Sequence, residues 1–97
     1  MKFLFIYHGG QVPEDRMEQN MDELWRWLDE LRDHGYESVR FAGNGRKTVT
    51  ASEIGDYEGD VFGISVIEAE SLEKAVSLTA NWPEWPYGGK IEIFEAL

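Results

Sequence analysis

Val61–Ala69 reads VFGISVIEA and Lys2–His8 reads KFLFIYH. Both runs have strand length and are nearly continuous in apolar, aromatic and β-branched residues. In Lys2–His8, Phe3, Phe5 and Tyr7 point one way and Leu4, Ile6 and His8 the other. In Val61–Ala69, Phe62, Ile64 and Val66 oppose Val61, Gly63, Ser65 and Ile67. Both faces of both strands are therefore largely apolar. A sheet with one side in water alternates apolar with polar residues instead. These two strands are expected in the middle of a sheet that is covered on both faces.

Working outward, Gly9-Gly10 ends the first strand, and Pro13-Glu14-Asp15 places proline and acids where a first helical turn accepts them. Met17, Met21, Leu24, Leu28 and Leu31 then recur at helical spacing, with Trp25 and Trp27 widening the stripe and Gly35 at the C-terminal cap. Tyr36–Ala42 reads as an edge strand, with Tyr36, Ser38 and Arg40 set against Glu37, Val39 and Phe41. Gly43-Asn44-Gly45 turns the chain, Arg46–Thr50 is a short extended piece, and Ala51–Gly59 is expected to be a loop. Ser71 is a candidate N-cap for a second helix whose apolar face is Leu72, Ala75, Val76 and Leu78. Pro83 stops that helix, Trp85–Gly89 is a connector, and Lys90–Leu97 closes as a strand with Ile91 and Ile93 on one face.

The order βαββαβ predicts an α+β, ferredoxin-like sandwich over residues 1–97: one domain, with a four-stranded antiparallel sheet and two helices on one face. Two helices cover only one side. At about 25 cal/mol per Å2, leaving several large side chains of the other side wet forfeits several kcal/mol. A second copy, packed sheet against sheet, is the expected cover, so a homodimer is predicted.

Nineteen acids against nine Lys and Arg give a net charge of −10. Such an acidic chain lacks the basic footprint that nucleic acid or an anionic membrane surface requires. No run reaches bilayer-spanning length, and Met1–Tyr7 is too short for a signal peptide, so a cytoplasmic location is expected. The chain has no Cys, which excludes disulfides, thiolate chemistry and Cys-type zinc sites. No His/acid spacing suggests a metal, and neither glycine pair matches a phosphate-binding loop, so no cofactor is predicted.

His8 is the leading candidate for chemistry, because a strand end beside a Gly-Gly step commonly borders a pocket and imidazole titrates near neutral pH. Its alternative is a structural histidine bonded to backbone. Arg40, Arg46 and Lys47 form the one basic cluster, around Asn44; turn amides and guanidinium groups there suit a carboxylate or phosphate, although a solvated patch explains them too. Trp25 and Trp82 are candidates to line an apolar pocket, or else belong to the core or an interface. Trp85 is read with Trp82 as interface or pocket rim. His34 is assigned to the helix C-terminus. The first helix carries eight acids against three Arg over Glu14–Asp33, which reads as a solvated face laced by pairs of Arg26 with Asp22 and Glu30.

The segment from Gly59 to Leu97 resembles the YCII-related proteins, the DGPF-domain group of the dimeric α+β-barrel superfamily. The likeness rests on Gly63, Ser65-Val66-Ile67-Glu68-Ala69, Ser71-Leu72-Glu73-Lys74-Ala75, Pro83, Gly88-Gly89 and Ile91-Glu92-Ile93. The opening MKFLFIYHGG and the middle FAGNGRKTVT extend it over nearly the whole chain. The resemblance implies a ferredoxin-like protomer that pairs through its sheet into a dimeric α+β barrel. Some relatives carry a histidine on the first helix and an Asp-Pro after the second, an acid–base pair. Here Trp25-Arg26-Trp27 and Trp82-Pro83 stand at those places, and the Asp-Gly-Pro-Phe signature is replaced by Ile54–Asp60. That dyad does not transfer.

Three functions follow as expectations. The first is a homodimer that binds a small organic ligand in a pocket between the sheet and the first helix. The second is an enzyme doing lyase- or isomerase-type acid–base chemistry on a small acidic substrate, with His8 as base and Arg40 or Arg46 as anion clamp. The third is a protein-interaction module using Trp82–Tyr87.

Overall fold

The computed structural model describes all 97 residues. Four strands, β1 (Lys2–His8), β2 (Glu37–Ala42), β5 (Val61–Glu68) and β6 (Lys90–Glu95), form one antiparallel sheet in the order β2-β5-β1-β6. Helices α1 (Met17–Asp33) and α2 (Leu72–Ser77) complete the α+β ferredoxin-like arrangement. A separate two-stranded hairpin, β3 (Lys47–Val49) with β4 (Ile54–Asp56), leaves the sheet between β2 and β5. The Ala51–Gly59 segment is thus not all loop: Ile54–Asp56 pairs with Lys47–Val49 through backbone bonds, which take no account of the segment's polar composition.

Local signals explain the element ends. Ser71 Oγ accepts from the Lys74 amide at 3.0 Å, the expected N-cap of α2. Gly35 follows α1 with φ +82°, a left-handed conformation that side-chain-bearing residues avoid. Gly10 serves a different need. A Cβ there would lie 2.2 Å from the Tyr87 carbonyl oxygen, so only glycine lets the 9–11 segment close onto the connector, where the Gln11 amide bonds Tyr87. His34 Nδ1 lies 2.8 Å from the Glu30 carbonyl, satisfying a C-terminal acceptor of α1.

The core lies between the sheet and α1. Phe3, Phe5 and Tyr7 of β1 and Ile67 of β5 meet Leu24, Trp27 and Leu31 of α1. At about 1.5–3 kcal/mol for each fully buried large apolar side chain, this layer carries most of the stabilisation. The helix is rotated relative to the stripe read from the sequence. Asn20, Leu24, Trp27 and Leu31 face inward, while Met17, Met21 and Trp25 are exposed. In α2 only Ala75 is buried, and Leu72 and Val76 are exposed. Arg26 makes no ion pair; Arg32 pairs with Asp29 and Asp33 instead.

Two β-bulges re-aim side chains. One, where the β1–β5 register shifts between Tyr7 and His8, turns Phe62 toward Tyr7, so it does not share a face with Ile64 and Val66. The other, between Glu37 and Val39 on β2, puts Glu37 on the core side together with Arg40. The opposite face of the sheet is open. It carries Leu4, Ile6, Ile64 and Val66 centrally, with Val39, Phe41 and Phe94 toward the edges. Phe41 is 67% exposed. The molecule is a slab of 41 × 39 × 19 Å, and its thin dimension is that of one sheet and one helix layer.

Candidate functional site

His8 ends β1 on the open face, beside Ile6. Its ring is mostly buried, with Nδ1 2.6 Å from Asp60 Oδ1 and Nε2 2.6 Å from Glu92 Oε1. Both nitrogens face acceptor-only carboxylates, so both bonds form when each nitrogen carries a proton. The hydrogen bond from His8 holds the Asp60 carboxyl below its ordinary range, helped by the charges of His8 and Lys90. A base at this position needs a ring nitrogen with a free lone pair, and here each nitrogen faces a carboxylate oxygen at 2.6 Å.

On the other face a hydrogen-bonded chain runs from core to surface. Tyr7 Oη donates to Ser65 Oγ at 2.8 Å, Ser65 donates to Glu37 Oε2 at 2.6 Å, and Arg40 Nε donates to Glu37 Oε1 at 2.7 Å. Arg40 Nη1 reaches Asp29 at 3.0 Å, and its guanidinium stacks 5.6 Å from the Trp25 ring centre. Arg40 Nη2 is also 2.6 Å from Glu37 Oε1 but is not aligned for a hydrogen bond, so that contact is electrostatic. Burial opposes the Arg40 charge, yet the bonds to Glu37 and Asp29 outweigh it and raise its pKa. Burial pushes the Tyr7 phenol well above its ordinary range. Arg40 is therefore engaged by two carboxylates and is not free to clamp an anion.

The remaining basic residues are also committed. Arg46 donates through Nη1 to the Val61 carbonyl and stacks over Tyr57, and Lys47 pairs with Asp56 at 2.9 Å. Asn44 sits exposed in its bend. Val61 pairs with His8 in the sheet, so Arg46 reaches the His8 end of the molecule while Arg40 and Trp25 lie on the helix side. The structure does not bring the sequence-nominated residues into one site.

Trp82 is a core residue rather than a rim. It is 2% exposed, lies parallel to Phe62 at 6.3 Å and stacks on Tyr7 at 5.7 Å. Trp85 is 40% exposed and donates to the Thr79 carbonyl at 2.7 Å. Between α1 and the sheet, Trp27 packs edge-on against Tyr7, on which Trp82 stacks. Burial of Trp82 removes half of the surface on which the interaction-module reading relied.

The structure adds a buried pair that the sequence reading passed over. Asn20 Nδ2 donates to Glu84 Oε2 at 2.9 Å, both residues are buried, and Asn20 Oδ1 has no partner. The pair joins α1 to the segment after α2. Its one sequence signal is that Asn20 continues the inward stripe of Leu24, Trp27 and Leu31. No group of three or more His, Asp or Glu side chains is arranged to hold a metal ion. A surface groove of about 490 Å3 beside Met1, Tyr36 and Glu68 lies at the far end of the sheet from His8. No helix is long and apolar enough to cross a membrane.

An antiparallel four-stranded sheet with two helices places the protein among ferredoxin-like α+β proteins. A family model, the YCII-related domain, matches residues 1–96, and the chain belongs to that family. Among solved structures it is similar to 5-chloro-2-hydroxyhydroquinone dehydrochlorinase (TftG) from Burkholderia phenoliruptrix AC1100, in complex with 2,5-dihydroxybenzoquinone. The TM-score is 0.64 and the identity 20%, over 100% of this chain and 94% of that one, which is a likeness of fold. No curated protein matches the chain.

Proposed function

We propose that this protein acts as a homodimer, joined through its open sheet face, that holds a small organic ligand beside His8 and protonates it there. The observation that carries the reading is the His8 ring, set between Asp60 and Glu92 at the end of an uncovered apolar face. Asp60 fixes the ring through Nδ1. A ligand oxygen that displaces the half-exposed Glu92 from Nε2 receives the proton, and a second copy over the open face excludes water from it. An acid–base role toward a small substrate fits this better than an interaction module does, because the Trp82 end of the connector is buried.

Sedimentation equilibrium tests the assembly, and NMR titration with 2,5-dihydroxybenzoquinone, the compound in the TftG complex, tests the site. The expected results are a dimer for the wild type, monomers for Phe41→Glu, and ligand-induced shifts at His8 that vanish in His8→Ala. A wild-type monomer at micromolar concentration overturns the assembly. An unchanged His8 spectrum at saturating probe overturns its role toward ligands of this type.

A further inference from the structure

The β3–β4 hairpin has no evident reason to be ordered by itself. It is a ladder of three residue pairs, below the size at which a two-stranded unit is stable alone in water. Its root is nonetheless held firmly. Lys47 pairs with Asp56, Arg46 stacks over Tyr57 and bonds the Val61 carbonyl, and the Tyr57 hydroxyl accepts from the Val61 amide at 3.1 Å. At its other end Val49 and Ile54 lie directly opposite each other, 71% and 74% exposed. Arg46, Lys47 and Asp56 are paired within the arm, whereas the Glu53 carboxylate at its turn has no ion-pair partner. The apolar pair is likewise unpartnered, and its complement is an apolar surface.

We infer that this hairpin is a dimerisation arm whose Val49–Ile54 pair seats on the second copy of the chain. The inference rests on the dimer proposed above and adds a second contact to it. Area decides in favour of the second copy. With strands of six to eight residues, a rise of about 3.3 Å per residue and a spacing of about 4.8 Å, the open face projects to about 400 Å2. A stable interface buries about 800 Å2 per partner. The sheet face alone falls short, and the arm, rooted at Val61 on the His8 end of the same sheet, supplies the difference. Arm and face are then one continuous interface.

The experiment measures the dimer dissociation constant by sedimentation for the wild type and for the double variant Val49→Ser, Ile54→Ser. Both residues are exposed in the single copy, so the fold does not depend on them. The dissociation constant is expected to rise at least tenfold. A change of less than twofold, in a wild type that does dimerise, overturns the arm and leaves the sheet-face dimer standing. A monomeric wild type overturns both. An independent readout uses the absence of native cysteine: a spin label at Val49→Cys is expected to be immobilised in the dimer and mobile on dilution. A label that stays mobile in the dimer refutes the contact.

Discussion

Replacing Arg40 by Ala tests the most consequential buried contact. The Glu37 side chain is only 2% exposed, and its carboxylate faces three donor atoms: Ser65 Oγ, Arg40 Nε and Arg40 Nη2. Arg40→Ala removes the only cation and leaves one hydroxyl. Breaking a buried pair in this way costs about 3–5 kcal/mol, because the surviving charge is uncompensated in a place water does not reach. The contacts of Arg40 with half-exposed Asp29 and with Trp25 add about 1 kcal/mol at most. An unfolding entropy of about 2.1 cal/mol/K per residue is about 0.2 kcal/mol/K for the chain, so the melting temperature is expected to fall by about 15–25 °C. Thermal and urea unfolding followed by tryptophan emission, at fixed protomer concentration, give the measurement. The double variant Arg40→Met, Glu37→Met separates charge from packing. It is expected to recover most of the loss, since no charge is then left buried. A loss below about 1 kcal/mol for Arg40→Ala, or a double variant no better than the single, refutes the account.

Two further outcomes follow from the buried polar groups. The Tyr7 phenol is raised, so the native state keeps its proton after the unfolded chain has lost it; stability is full below about pH 10 and declines as pH rises further. Tyr7→Phe is expected to flatten that decline in pH-dependent urea unfolding, and an unchanged slope contradicts it. Asn20→Ala removes a hydrogen-bond donor of Glu84 and is expected to cost about 1–3 kcal/mol, read by the same unfolding curves, with a neutral result showing that the pair is not a net support.

Much of the fold is legible in the chain. Residues such as Phe3, Phe5 and Tyr7 declare a strand with one fully buried face, Ser71 and Gly35 mark helix ends through local chemistry, and Ile91 and Ile93 do share the core side. Less of the site is legible. His8 lay on one of two faces that read alike, and Asp60 and Glu92, its partners, are 52 and 84 residues away. Asn20 looked like an ordinary polar helix residue, because a single Asn in a stripe does not announce that Glu84 will meet it.

What the amino-acid order determined is whatever depends on near neighbours: the succession βαββαβ, the caps, and a sheet apolar on both sides. What only the tertiary structure decided is which way particular side chains point. A strand's two-residue period assigns Phe62 to the face of Ile64 and parts Glu37 from Arg40. Bulges in β5 and β2 reverse both assignments, placing Phe62 on Tyr7 and Glu37 beneath Arg40. A bulge is a mismatch of register between two strands, set by the hydrogen bonds that both can make at once, and neither strand's sequence contains it alone.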